Sequence, residues 1–140
     1  MPGRVVLVGF GPAGRSVASQ LKNEKIPLVV VEWNPRLASQ AKSLGIDVVI
    51  GDATRTDVLK RAGIIGAVAV GVTVPDPAAA QQITAQVRAL ARTAAIITRS
   101  RYQRYNDDLY ASGSTFVSDE ENAVGLEVAS EIKRVLGTHG

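Results

Sequence analysis

Short apolar runs recur along the chain, and the stretches between them read as helices. The runs are Val5–Val8, Leu28–Val31, Val48–Ile50, Ala67–Val72, Ala95–Thr98 and Thr115–Val117, each the length of a short buried strand. A helix is expected after Gly14. Asn34 supplies a cap and Pro35 a first turn for a short helix through Leu44, which Gly45 ends. Thr56 to Ala62 forms another, stopped by Gly63. Pro75 and Pro77 open a longer helix through Gln82, Val87 and Leu90. Tyr102 to Ala111 is expected to be helical and to stop at Gly113, and Glu120 to Leu136 is the closing helix. Strands that alternate with helices imply a parallel sheet covered on both faces.

The first of these units carries the most information. Between strand Val5–Val8 and the following helix lies Gly9-Phe10-Gly11-Pro12-Ala13-Gly14, a GxGxxG turn, and the second strand ends in Glu32. Gly9 permits a tight exit from the strand. Gly11 lets the backbone approach a pyrophosphate with no Cβ in the way, and Gly14 lets the helix lie close on the sheet. The helix N-terminus offers free N–H groups and partial positive charge to phosphates. A carboxylate at Glu32 accepts hydrogen bonds from ribose hydroxyls. Strand, turn, helix, strand and acid in this register define the dinucleotide-binding half of a Rossmann-like α/β fold. Six strands extend it to a doubly wound parallel sheet of order 3-2-1-4-5-6.

Composition narrows the function. The 140 residues fit one domain, residues 1–140, with 119–137 as a closing or crossover helix. A hydrophobic content of 46% is ample for one core, yet no segment approaches the ~18 consecutive apolar residues of a membrane span. Met1-Pro2-Gly3-Arg4 leads directly into a strand, so no signal peptide is expected. The absence of cysteine excludes disulfides and thiolate metal sites and agrees with a reducing cytosol. The single histidine, His139, is penultimate and is expected to lie in a disordered tail, which leaves no histidine metal site. A net charge of +3, interspersed along the chain, gives no reason to expect a nucleic-acid partner. The nucleotide fold uses up the chain, so no catalytic domain is expected and a regulatory module is preferred to an enzyme. The alternatives are a fragment of a small NAD-dependent oxidoreductase and a constitutive assembly domain with a structural nucleotide.

At Gly51-Asp52-Ala53-Thr54-Arg55, followed by Val58-Leu59 and Ala62-Gly63-Ile64, the sequence resembles a known family. These are the cytosolic RCK, KTN or TrkA-N domains that regulate prokaryotic potassium channels and transporters, and the likeness is greatest to the Kef-type potassium/proton antiporter branch. It runs from Val5 to about Val117 and includes the glycine turn, Val31-Glu32-Trp33-Asn34-Pro35, Val74-Pro75-Asp76-Pro77 and Ile96-Ile97-Thr98-Arg99. The resemblance implies a sensor that binds NAD(H), AMP, ADP or ATP and alters the gate of a membrane partner, possibly on the same full-length chain. That places it in the cytoplasm at the inner face of the membrane. It also implies a homodimer formed through the later helices, here those containing Tyr102 to Tyr110 and Val124 to Leu136, with the last crossing to the neighbouring subunit. The sequence departs from the family pattern at Tyr102, Tyr105 and Tyr110, which replace charged residues, and after Val117. The chain also stops where a full regulator would continue, as an excised domain or a stand-alone subunit would.

Individual residues carry competing readings. Glu32 meets a ribose diol and disfavours NADP, because a 2′-phosphate faces like charge there. Arg36, one helical turn later, is expected to pair with Glu32, the alternative being receipt of an extra phosphate. Asp52 either accepts from an adenine amino group or is a turn residue, Ala53 offers backbone contact, and Thr54 completes the same loop. Trp33 lies over the adenosine edge, under a partner, or in packing. Arg55, a cation at a helix start, meets a phosphate, an acidic partner or solvent. Lys60 and Asp57 are read as solvated. Arg99 resembles the family arginine that reaches phosphate or a facing subunit, and otherwise forms a surface salt bridge. Tyr102, Tyr105 and Tyr110, with Leu109, are expected to make one apolar stripe, packed either inside the domain or in a dimer.

Overall fold

The computed structural model describes residues 3–138; His139 lies outside them. Six strands form one sheet in the order β3-β2-β1-β4-β5-β6, with every adjacent pair parallel. They are β1 (Arg4–Val8), β2 (Leu28–Glu32), β3 (Asp47–Ile50), β4 (Ala67–Val72), β5 (Ala95–Ser100) and β6 (Phe116–Asp119). The helices are α1 (Pro12–Asn23), α2 (Pro35–Ser43), α3 (Thr56–Arg61), α4 (Pro77–Leu90), α5 (Asn106–Ala111) and α6 (Glu120–Val135). The topology is the expected Rossmann-like one, and the order in which strands are added reverses between β1 and β4.

Successive strand residues point to opposite faces, so the apolar runs feed two cores at once. Val6, Val8, Val31, Val70, Val72, Ile96 and Val117 pack with α3, α4 and α5 through Leu59, Ile83, Val87 and Leu109. Leu7 and Val30 face the other way and pack with Phe10, Ala18 of α1 and Ala41 of α2. Burying a side chain of this size contributes about 1.5–3 kcal/mol, which is why nearly every strand interior position is apolar. The second face is covered only over β1, β2 and β3. Across β4, β5 and β6 it is a groove of about 620 Å³, lined by Leu7, Val17, Gly71, Ile97, Phe116 and Ala123. Phe116 is 56% exposed there.

Polar groups fasten the first core at its edge. Thr84 and Thr98 are fully buried and share a 3.0 Å hydrogen bond, and the Ser114 hydroxyl lies 3.2 Å from Thr98 Oγ1 and 2.8 Å from the Phe116 carbonyl. Arg88, in the last turn of α4, donates to the carbonyl oxygens of Ala91, Arg92, Ala94 and Gly113. They lie at the end of α4 and in the turn before β6, so one side chain ties the two together; the Ala91 carbonyl also accepts the Ala94 N–H.

The segment after β5 differs from its sequence reading. Tyr102 is extended (φ −136°, ψ 138°), Gln103–Tyr105 is a single 3₁₀ turn, and α5 starts only at Asn106. The cause is local competition for the backbone. Ser100 Oγ bridges Tyr102 by donating to its carbonyl, and the Gln103 N–H donates to Glu121 Oε1 at 2.7 Å. A chain held this way cannot begin a helix at Tyr102, so the three tyrosines do not share one stripe. Tyr102 and Tyr105 pair with ring centroids 6.2 Å apart, and the Arg104 guanidinium stacks over both. Tyr110 instead accepts the Val117 N–H on its hydroxyl.

Helix α6 is held almost entirely by its ends. None of its 16 residues is buried. Asp119 Oδ1 accepts the Asn122 N–H at 2.6 Å as an N-cap, Glu120 and Glu121 occupy the first turn, and Lys133 and Arg134 the last. This charge order complements the helix dipole. Val124, Val128, Ile132 and Val135 form an apolar row along it, between 53% and 77% exposed.

Candidate functional site

The glycine turn sits at the carboxyl end of β1, where the strand order switches sides of the sheet. Gly9 has φ +101°, a conformation open to glycine but strained for other residues. A Cβ on Gly14 would lie 2.1 Å from the Gly9 carbonyl oxygen, so α1 crosses the turn at a distance only glycine allows. A Cβ on Gly11 would meet nothing within 4 Å. That contrast separates the roles of the two glycines: Gly14 closes the packing, whereas Gly11 faces open space. Helix α1 has Gly11 as its N-cap, no capping side chain and Pro12 at its start. Its first intrahelical bond runs from the Arg15 N–H to the Gly11 carbonyl, so the preceding amides have no helical acceptor. No acidic residue occupies that first turn. The arrangement favours an anion.

Glu32, the last residue of β2, reaches this turn. Its Oε1 accepts the Phe10 N–H at 2.8 Å and its Oε2 accepts the Asn34 N–H at 2.9 Å. Asn34 in turn caps α2 by accepting the Arg36 N–H. The carboxylate therefore ties the turn to the start of α2, and each oxygen keeps a lone pair for another donor. The Glu32–Arg36 pair expected from the sequence is not formed; the carboxylate is turned instead to the backbone N–H groups of Phe10 and Asn34. At the end of β3, Asp52 Oδ1 accepts both the Thr54 N–H (2.9 Å) and the Thr54 hydroxyl (2.7 Å), which fixes the loop as an Asx turn.

The expected residues divide among three recesses around the turn. Gly9, Glu32, Trp33, Asp52, Ala53 and Thr54 line a crevice of about 180 Å³ together with Val74 and Ile83. Gly11, Pro12 and Arg36 line a wider groove between α1 and α2, along with Arg15, Ser16 and Gln40. Phe10 borders it, but its ring is fully buried in the second core and its contribution to the turn is the main-chain N–H. Ala13 and Arg99 lie on the third side, at the sheet groove. Arg99 forms the salt bridge that was one of its two readings, with Glu120 at 2.5 Å, and also donates to the Thr73 carbonyl. Trp33 is 67% exposed, which excludes the packing reading. Arg55 pairs with Asp57 at 3.2 Å, both two-thirds exposed, an interaction of little energy.

Two residues at the site were not singled out from the sequence. Arg15 stands in the first turn of α1, where a cation opposes the helix dipole, the same signal that drew attention to Arg55. Thr73 follows β4, and its hydroxyl donates to the Val8 carbonyl at 2.9 Å, with the Gly9 carbonyl 3.3 Å away. No linear motif marks it.

Residues 5–120 match the TrkA-N domain family, and the chain belongs to it. Among its relatives, the glutathione-regulated potassium-efflux system protein KefC of Cronobacter sakazakii is 33% identical over 98 residues, which are 70% of this chain. The chain spans only 16% of the length of that relative. The TrkA-N domain of the inner membrane protein ybaL from Escherichia coli superposes with a TM-score of 0.88 at 25% identity, covering 93% of this chain and 96% of that one. The Kef C-terminal domain of Shewanella denitrificans in its AMP-bound form superposes with a TM-score of 0.81 at 22% identity, covering 96% and 82%. Among the described residues no helix is long and apolar enough to cross a membrane.

Proposed function

We propose that this chain is a single nucleotide-sensing domain, not an enzyme, and that it regulates a Kef-type potassium/proton antiporter or a related potassium channel from the cytoplasmic face of the membrane. The ligand is an adenine nucleotide with a free 2′-hydroxyl: NAD(H), AMP, ADP or ATP. The observation that carries this reading is the Phe10–Glu32 contact, which sets a carboxylate beside an uncapped helix N-terminus. A phosphate on the turn satisfies the free amides of α1, and a ribose diol donates to the remaining lone pairs of Glu32. Gly9, Phe10, Gly11, Pro12, Ala13 and Gly14 form the phosphate cradle, while Trp33 and Asp52–Thr54 border the base. Arg36, unpaired with Glu32, lies beside the cradle as a second source of positive charge. The AMP carried by the Shewanella domain of the same fold supports the ligand class.

The domain acts as a homodimer. The apolar row on α6 and the open groove over β4, β5 and β6 are complementary surfaces left uncovered within one chain. An α6 that crosses to a second copy covers both, and 119–137 then serves as the crossover helix. Isothermal calorimetry of the domain with AMP, ADP, ATP, NAD, NADH and NADP tests the ligand class. Saturable binding of at least one of the first five, with NADP weaker than NAD, is expected, and no binding of any refutes the reading. Turnover of NADH with carbonyl acceptors would replace it with an oxidoreductase.

A further inference from the structure

Thr73, Arg99 and Glu120 form a continuous chain of contacts from the glycine turn to α6. At one end the Thr73 hydroxyl contacts the Gly9 carbonyl oxygen and donates to that of Val8, while the Thr73 N–H donates to the same Val8 oxygen at 2.9 Å. Thr73 is therefore seated under the turn, and it leads into Val74, which lines the crevice beside Glu32. In the middle, Arg99 at the end of β5 donates Nη1 to the Thr73 carbonyl at 3.0 Å. Its other edge, Nε and Nη2, grips Glu120 Oε1 at 2.8 and 2.5 Å. Glu120 is the first residue of α6.

We propose that Arg99 is a positioning residue that couples the glycine turn to α6, so that a change at the turn alters the first turn of that helix. Three features support this over a passive surface bridge. The Arg99 side chain is only 26% exposed, so solvent screens it less than an open ion pair. Its planar fork binds two groups from different elements, and a shift of either reorients the other. Helix α6 buries no residue of its own, so the Arg99–Glu120 contact, the Asp119 cap and the Glu121–Gln103 contact are what set its direction. Ligand-dependent coupling rests on the nucleotide reading above, whereas mechanical coupling between the two ends does not.

Hydrogen exchange of the whole chain separates the two. Without ligand, Glu120→Ala, a change on the more exposed end of the relay, should speed exchange of the bonded amides of the turn, those of Gly9, Phe10 and Arg15, about fivefold, the order expected for one lost hydrogen bond. Amides of α2 and β3 should be unchanged and serve as the control. Arg99→Met should give the same acceleration, and adding Glu120→Ala to it should have no further effect. Arg99→Lys, which keeps the charge, should restore part of the protection if the methionine variant folds poorly. With AMP or NAD added, exchange in the first turns of α6 should change in the unmodified chain and not in Arg99→Met. An unaltered glycine turn in Glu120→Ala, or a response of α6 that persists in Arg99→Met, overturns the coupling. If none of AMP, ADP, ATP, NAD and NADH binds but Glu120→Ala still loosens the turn, the coupling stands and the nucleotide reading falls.

Discussion

The main-chain N–H of Phe10 donates to Glu32 Oε1 at 2.8 Å, so the carboxylate that lines the crevice between the ends of β2 and β3 also holds the glycine turn in place. With the proposed ribose contact, Glu32 has two tasks that a single substitution removes together. Glu32→Ala should weaken nucleotide binding by about 1–3 kcal/mol, and the loss of its bonds to Phe10 and Asn34 should also lower the melting temperature of the ligand-free domain. Glu32→Gln keeps an acceptor for one N–H and should be the milder in both respects. Calorimetry and thermal melts on the two variants check this, and an unchanged melting temperature for Glu32→Ala would refute the holding role.

Two glycines only three positions apart should respond oppositely. Gly11→Val places its side chain in open space, so the domain should fold with a near-normal melt yet fail to bind a phosphate on the turn. Gly14→Ala drives a methyl group against the Gly9 carbonyl and should destabilise the fold by about 1–3 kcal/mol or more, as overpacking does. Circular dichroism melts paired with calorimetry distinguish these outcomes. Retained affinity in a folded Gly11→Val variant would move the phosphate away from this turn.

The cap of α6 should be sensitive to acid. Asp119 is held below the ordinary carboxylate range, first by the hydrogen bond from Asn106 Nδ2 and then by the Asn122 N–H. A depressed folded-state value means that its stabilisation is complete above the unfolded carboxylate pKa and is lost as pH falls through the lower, folded one. Helicity and melting temperature followed from about pH 6 down to about pH 2 should show a loss that Asp119→Asn flattens. The variant should resemble the acid form already at neutral pH.

Association should depend on the α6 row rather than on the tyrosines. Tyr105 packs against the first core and Tyr110 bonds to Val117, so aspartate at either position strikes the fold itself. Ile132 is 55% exposed and touches no core, so Ile132→Asp should give a folded monomer. Sedimentation of the unmodified chain and of Ile132→Asp tests this; a monomer in both, with and without nucleotide, would refute the dimer.

Much of the fold was legible because its signals are local. A continuous apolar run marks a strand buried on both faces, and glycine and proline mark helix ends through their own backbone limits. The strand order followed from the doubly wound rule once six strands were counted. The segment from Tyr102 to Ala111 misled because its helical spacing was real, but Ser100 and Glu121, the latter 18 positions away, claim its first backbone groups.

The candidate site divides along the same line. The sequence by itself determined the glycine turn and the acid ending β2, since each is a local pattern. It left Asp52 between an adenine acceptor and a turn residue until the structure showed the Asx turn. Only the tertiary structure decided what those groups face. It gave Glu32 to Phe10 and Asn34 instead of Arg36, left Trp33 in solvent, and joined Thr73, Arg99 and Glu120 into one chain of contacts. A charged side chain takes whichever partner folding brings nearest, and the Phe10 N–H lies 22 positions from Glu32 and the Glu120 carboxylate 21 from Arg99, separations that no local pattern reads.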